Sequence, residues 1–333
     1  MKIKYLPEDF YVEEIIQPKN FTKTKTNILL FKITKKNITT LKAVERIKLL
    51  TKSKVNFLGL KDKYSLSCQY ITIKTHNPEK VIKTLEKYQD KTLKIEFIGF
   101  LQEELKLENL KKNKFKIILR DIDKMELDDY ISNIDKILKI GYFLNYFDNQ
   151  RINAKIILPN EIDRDTLKKK VDEMIENPDL IKIKKNLEKY SIKFNFTDKR
   201  ENLIKESLLF NLSLCKKFIH QVESEKLNLK FKIYTKNNII LIPSLDEINQ
   251  EEIQKLVILL SNLLEIKEQN TKRNFVSSIE NILYEIEKDE FHKNRYKISM
   301  AFELKPGTYA TILIKHIIPI RHLSHLKYRP LII

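Results

Sequence analysis

Apolar residues recur along this chain with two periods, and the switches between them predict its elements. Near the start, Phe10, Val12 and Glu14 alternate with Tyr11, Glu13 and Ile15, the two-residue period of a strand. The apolar run Asn27 to Ile33 predicts a second strand. Thr39 or Thr40 can cap a helix carrying Leu41, Val44, Ile47 and Leu50 on one face. Asn56 to Leu60 predicts a strand that runs into the polar segment Lys61 to Ser65, and Gln69 to Lys74 predicts the next one. The Lys61–Asp62 pair is thus expected at a turn between strands, where a rigid scaffold often displays functional groups.

Further along, Phe115, Ile117 and Leu119 alternate with Lys116, Ile118 and Arg120, another strand pattern. Leu127, Tyr130, Ile131, Ile134, Ile137 and Leu138 then share a helix face. Gly141 follows as the expected C-terminal cap, and GYFLNYF is expected to return as a strand. From about residue 158 the character changes. Helical patterns dominate at Asp165 to Glu176, Leu203 to Phe218 and Glu251 to Lys267, and strand character returns near residue 298 with ISMAFEL. No internal repeat and no low-complexity linker is evident. The pattern predicts an α+β fold with a mainly helical insertion.

Composition narrows the function classes. Hydrophobic residues at 42% and charged residues at 32% predict a globular chain. No run approaches the roughly 18 apolar residues of a membrane-spanning helix, and the start MKIKYLPEDFYVEE has no signal-peptide core. Cys68 and Cys215 form no CxxC pair, so two thiols in a reducing cytoplasm are expected, not a zinc site or a disulfide framework. The net charge of +18 favours a polyanionic partner. Four glycines occur, Gly59, Gly99, Gly141 and Gly307, where about 20 would be average. Each is expected where a side chain is hard to accommodate.

Common cofactor signatures are missing: there is no GxGxxG, no GxxxxGK[ST] and no HExxH. The late histidines His316, His322 and His325 have no carboxylate or thiol near them in sequence, so surface or RNA-contacting histidines are expected and no metal. Neither the clustered carboxylates of a metal nuclease nor the glycine-rich loop of a methyltransferase stands out. Three segments carry the candidate chemistry. In GLKDKYSLSCQ, Gly59 to Gln69, Gly59 permits close backbone packing, Lys61 lies beside Asp62, and Ser65, Ser67 and Gln69 add hydrogen-bonding groups. The alternative for this segment is a surface turn with a solvated ion pair. In YFLNYFDNQRIN, Tyr142 to Asn153, aromatic faces that can stack on bases sit beside Asn145, Asn149, Gln150 and Arg151; a core strand with a polar turn is the alternative. In FELKPGTYAT, Phe302 to Thr311, Pro-Gly makes a turn that presents Tyr309, or closes an ordinary hairpin.

Taken in order, these segments resemble the TruD family of tRNA pseudouridine synthases. EDFYVEE is similar to an early F-x-V-x-E element, and GLKDKYSLSCQ to G-x-K-D-x-x-A-x-T-x-Q, which carries a nucleophilic aspartate. LKKNKFKIILR resembles G-N-x-F-x-I-x-L-R, and NYFDNQRIN resembles N-Y-F-G-x-Q-R-F-G. SLLFN, Ser207 to Asn211, is similar to a helix motif of the family's insertion, and LKPGTYAT to L-P-x-G-S-[YF]-A-T. The departures are Asp148, Asn153 and Lys112 at glycine positions, Ile152 for Phe, Ser65 and Ser67 for Ala and Thr, and Lys315–His316 for Arg-Glu. The lost glycines put the loop geometry at residues 148–153 in question.

The resemblance implies a pseudouridine synthase-like catalytic domain with a mixed or antiparallel sheet (residues 1–157 and 301–333). It also implies a largely helical α/β insertion, the TRUD domain (residues 158–300). The implied activity is isomerisation of a uridine, at position 13 of tRNA, to pseudouridine in the cytoplasm, without metal or cofactor; other structured RNAs are possible substrates. Asp62 would be the nucleophile. Phe10 and Tyr309 would pack around a flipped base, Asn145 would hydrogen-bond base or sugar, and Phe147 would support that wall. Lys61 would position Asp62 or touch phosphate, and Arg151 would order the loop carrying Asn145. The basic, aromatic stretch 181–200 is either an RNA clamp or a solvated face. The competing function is a catalytically inactive RNA-binding protein on the same fold.

Overall fold

The computed structural model describes the chain except residues 19, 20, 23, 149–162, 177–197, 235–239, 247, 265, 267–272, 321–330 and 333. In chain order its first elements are β1 (Lys2–Ile3), β2 (Phe10–Ile16), β3 (Phe21–Thr22), β4 (Ile28–Lys36), α1 (Thr40–Thr51), β5 (Lys54–Phe57), β6 (Leu66–Lys74), α2 (Pro78–Glu86), β7 (Leu93–Leu101) and β8 (Leu110–Ile122). Then come α3 (Leu127–Ile140), β9 (Tyr142–Leu144), α4 (Arg164–Glu176), α5 (Asp198–Ser224), β10 (Phe231–Tyr234), β11 (Ile240–Pro243) and α6 (Gln250–Leu264). The last are β12 (Val276–Ser278), β13 (Glu280–Lys288), β14 (Tyr296–Leu304), α7 (Ala310–Ile317) and β15 (Leu331–Ile332). They form two compact units, Met1–Lys124 with Glu280–Pro306, and Met125–Ile279 with Gly307–Ile333.

The first unit is built on one mixed sheet in the order β13-β14-β8-β2-β6-β4-β7-β3, with β1 also pairing β8 and β5 pairing β6. Among the described residues β2 and β6 are the parallel pair, with Val12 opposite Ser67. This sets two motif segments, far apart in sequence, side by side. Alternation drives the pattern: Phe10, Val12 and Glu14 point inward from β2, as expected. Leu29, Phe31 and Ile33 of β4 and Ile71 and Ile73 of β6 pack against Ala43, Val44 and Ile47 of α1 and Val81 and Leu85 of α2. Residues 280–300, grouped with the insertion on sequence grounds, run in β13 and β14 of this sheet.

The expected face of α1 is rotated. Thr39 caps the helix, accepting from the Lys42 N–H. Leu41 and Leu50 are 58% and 40% exposed, however, while Thr40 and Ala43 are buried. The cause is polar. The Thr40 hydroxyl donates to Gln69 Oε1 at 2.8 Å and accepts from the Lys61 N–H at 3.0 Å. Leaving those buried groups unpaired would cost about 1–3 kcal/mol each, comparable to what burying a leucine contributes.

In the second unit, α3 buries Leu127, Tyr130, Ile134, Ile137 and Ile140. Gly141 ends it at φ 72°, its N–H donating to Ile137 O, the left-handed cap expected of a glycine. β9 pairs with β12, and β10 lies between β11 and β15. GYFLNYF is a strand for three residues only: beyond Leu144 the Asn145 N–H still donates to Phe275 O, but side chains take up Asn145 O, Tyr146 O and the Phe147 main chain.

Candidate active site

Asp62 lies on the loop between the antiparallel strands β5 and β6, as the sequence predicts. The loop is pinned through its main chain. Asp62 O accepts from Lys35 Nζ at 2.7 Å and from Ser65 Oγ at 2.8 Å. Gly59 O accepts from Gln69 Nε2 at 2.7 Å, and Ser65 and Ser67 share a hydrogen bond. Lys35 is fully buried at the inward end of β4 and also donates to Ile38 O. Burial pushes its ammonium down to about 8, against the pull of the nearby Asp62 carboxylate. The close packing expected at Gly59 is not found: an added Cβ would meet Lys61 Nζ at 4.0 Å, an ordinary contact.

The Asp62 carboxylate is paired with Lys4, whose Nζ also lies 4.0 Å from the centre of the Phe10 ring. Lys4 holds a left-handed backbone, φ 57°, unusual for a residue with a Cβ. This group was not legible in the sequence, where one lysine at the chain start looks like any other. Phe10 in turn meets Phe115 edge-on at 6.2 Å. Asp62, Lys4 and Phe10 thus form one cluster.

Lys61 turns elsewhere. Its Nζ lies 2.9 Å from Glu14 Oε1 and 3.0 Å from Asn113 Oδ1, its side-chain partners among the described residues. Glu14 is buried and also accepts from the Tyr70 N–H at 2.9 Å. The F-x-V-x-E, K-D and G-N-x-F segments therefore meet at one ion pair, which fixes the backbone next to the nucleophile candidate.

The second unit gathers Asn145, Phe147 and Tyr309. The segment after β9 is strung between two side chains. Asn211 of α5 accepts from Phe147 N at 2.8 Å and donates to Phe147 O at 2.9 Å. Arg273 donates to Asn145 O at 3.0 Å, Asn145 Oδ1 at 2.5 Å and Tyr146 O at 3.2 Å. It also donates to Gly307 O. These bonds replace a strand ladder. The Arg273 guanidinium stacks 4.2 Å from the centre of the Phe147 ring and 5.4 Å from that of Tyr309. Gly307 has φ 83°, so the Pro-Gly turn needs its glycine, and Tyr309 follows at the N-cap of α7.

Arg151 lies outside the described residues, as do positions 181–197 of the basic stretch, His322 and His325; among the described residues Arg273 holds Asn145. His316 is not at the surface. It is buried, donates from Nδ1 to Ile312 O and accepts the Leu144 N–H on Nε2, and burial pushes it down to about 3. Departures from the family pattern find partners. Asp148 is buried and accepts from Lys315 Nζ at 2.6 Å and from the Thr311 hydroxyl. Lys112 pairs with Glu280 at 2.5 Å and Glu303 at 3.2 Å. Among the described residues no group of three or more His, Cys, Asp and Glu side chains is arranged to hold a metal, and no helix is long and apolar enough to cross a membrane.

The chain is similar to known proteins in sequence and in fold. The chain is 29% identical over 399 aligned positions to "Probable tRNA pseudouridine synthase D 2" of Methanocaldococcus jannaschii, covering 95% of this chain and 91% of that one. It is 33% identical over 157 positions to tRNA pseudouridine synthase D of Aquifex aeolicus, covering 46% of this chain and 40% of that one. The crystal structure of a Methanosarcina mazei protein assigned to tRNA pseudouridine synthase D superposes with a TM-score of 0.58 at 15% identity, over 95% of this chain and 93% of that one, and so shares its fold. The model of the family described as tRNA pseudouridine synthase D (TruD) matches residues 1–189, more than half of the chain. That match shows that the chain belongs to the TruD family.

Proposed function

We propose that this chain is a tRNA pseudouridine synthase that isomerises a uridine, the one at position 13, in the cytoplasm, with Asp62 as the nucleophile. The reaction breaks the bond from C1′ to N1 and joins C1′ to C5; N1 gains a proton and C5 loses one. It needs a carboxylate presented to the nucleoside. The observation that carries the proposal is how Asp62 is held. Its main chain is fixed by Lys35 and Ser65, and its part-buried carboxylate is compensated by Lys4. Phe10 contributes an aromatic face beside it. Lys61 acts by holding the loop through Glu14. The family resemblance assigns the extruded uridine, whose removal from the stack costs a few kcal/mol, to Asn145, Phe147 and Tyr309. The net charge of +18 supplies the attraction for tRNA.

The test is to incubate the protein with unmodified tRNA and map pseudouridine, comparing wild type with Asp62→Ala. Wild type is expected to modify one uridine. The variant is expected to lose on the order of 10³-fold or more in rate while still binding tRNA. Wild-type turnover by Asp62→Ala would refute the assignment.

A further inference from the structure

Asn145 is held more tightly than a base-contacting amide on a loop needs to be. It is 6% exposed, and its main-chain N–H, its C=O and both ends of its side chain are engaged. The N–H donates to Phe275 O at 2.8 Å, and the carbonyl accepts from Arg273 Nε. Oδ1 accepts from Arg273 Nη2, and Nδ2 donates to Asn274 O at 3.1 Å. The orientation of the amide follows from the chemistry of these partners. A guanidinium only donates and a main-chain carbonyl only accepts. Turning the amide over would set N–H against N–H and oxygen against oxygen. What Asn145 retains for a ligand is therefore the second N–H of Nδ2, a donor, and one lone pair of Oδ1 on the side already facing the Arg273 guanidinium.

One guanidinium reaches four acceptors, on Asn145 (two), Tyr146 and Gly307, while lying over the Phe147 ring. It joins the segment that carries Asn145 and Phe147 to the turn that precedes Tyr309. A lysine has a single nitrogen and no planar face, so it could satisfy only part of this set.

We propose that Arg273 is a positioning residue for pseudouridylation. It locks the Asn145 amide so that the site offers an N–H to an acceptor oxygen of the nucleoside, a uracil carbonyl or a ribose oxygen. It also holds Phe147 and Tyr309 in fixed relation to that donor. This rests on the synthase assignment. It makes Asn145→Asp informative: a carboxylate keeps an oxygen for Arg273 but has no N–H to give, either to the nucleoside or to Asn274 O, and the second loss is read by the Tm.

Three proteins decide it: wild type, Arg273→Lys and Asn145→Asp. For each, the single-turnover rate on unmodified tRNA at saturating enzyme is measured with the tRNA Kd and the Tm. The proposal expects a Kd within about threefold of wild type for both variants. It expects single-turnover rates lowered at least about 30-fold for Arg273→Lys and about 100-fold for Asn145→Asp. A merely structural role for Arg273 would lower Tm and leave the rate of the folded fraction unchanged, which would overturn the proposal. If Arg273→Lys does not fold, Asn145→Asp decides, and a wild-type rate there would overturn it. A wild-type chain that forms no pseudouridine would overturn the synthase assignment itself and this inference with it. Wild-type activity with equally active variants would overturn the roles of Arg273 and of the Asn145 donor and leave the synthase assignment standing.

Discussion

If Lys61 serves Glu14 and not Asp62, its loss and the loss of Glu14 must be coupled. Lys61→Met would leave the buried Glu14 carboxylate with uncharged donors alone, and breaking an enclosed pair from one side costs about 3–5 kcal/mol. Glu14→Gln keeps an oxygen for the Tyr70 N–H but leaves the Lys61 ammonium with Asn113 Oδ1 and without its carboxylate, a loss of roughly 1.5–3 kcal/mol. The double variant contains neither charge. It should therefore be less destabilised than the sum of the single variants by about 2 kcal/mol. Urea unfolding of the four proteins, followed by far-UV circular dichroism, measures this cycle. Effects that add within about 0.5 kcal/mol, together with a Lys61→Met protein of wild-type stability and no turnover, would refute the reasoning. Lys61 would then act on Asp62 or on RNA.

Other outcomes follow from single contacts. Lys4→Met removes the ammonium between Asp62 and Phe10 and should lower the single-turnover rate on the order of 10²-fold; an unchanged rate would show that the pair is idle. Asp148→Ala leaves Lys315 Nζ, now paired at 2.6 Å, without its buried partner. It should cost about 3–5 kcal/mol in urea unfolding, with part recovered in Asp148→Ala/Lys315→Met. Lys232 is buried, donates to the carbonyls of Lys315, His316 and Ile318, and is pushed down to about 7 by burial, with Asp246 opposing. An unfolded lysine titrates near 10.4, so between about pH 7 and 10.4 the unfolded state binds more protons. Stability from this group therefore rises with pH, by up to about 1.4 kcal/mol per unit. The slope should vanish in Lys232→Met, and equal slopes in both proteins would contradict the assignment.

Much of this architecture can be read from the residues alone, and the failures have physical causes. The strands β2 and β8 and the helix α3 with its Gly141 cap follow from period and cap chemistry, since each buries one clean face. The face of α1 is misjudged because Thr40 is recruited by Gln69 and Lys61, partners distant in sequence. β7 is hidden because its alternation breaks at a bulge, where Leu30 pairs with Gly99 but Phe31 with Phe97. At the site, Asp62 stands out through its motif, whereas Lys4 and Arg273 are lost among 63 basic residues. Lys35 did leave a signal. It continues the inward series Leu29, Phe31, Ile33, and a lysine at a core position of a strand calls for a buried acceptor. Asn211 left one too, as the polar residue that ends the apolar run Leu208–Phe210.

The pairing of β8 with β14 bears on how the chain is made. One edge of β8 is completed by residues that follow the 155 positions Met125–Ile279. At about 5–20 residues per second a ribosome needs roughly 8–30 s to supply the missing neighbour. Throughout that interval a long strand bearing Phe115, Ile117 and Leu119 has open hydrogen-bonding groups, a template for pairing with other nascent chains. Lys112, Lys114 and Lys116 alternate along it with Asn113, Phe115 and Ile117. Their charge repels a second copy of the same edge, so these lysines guard the polypeptide during translation as well as adding to its positive field.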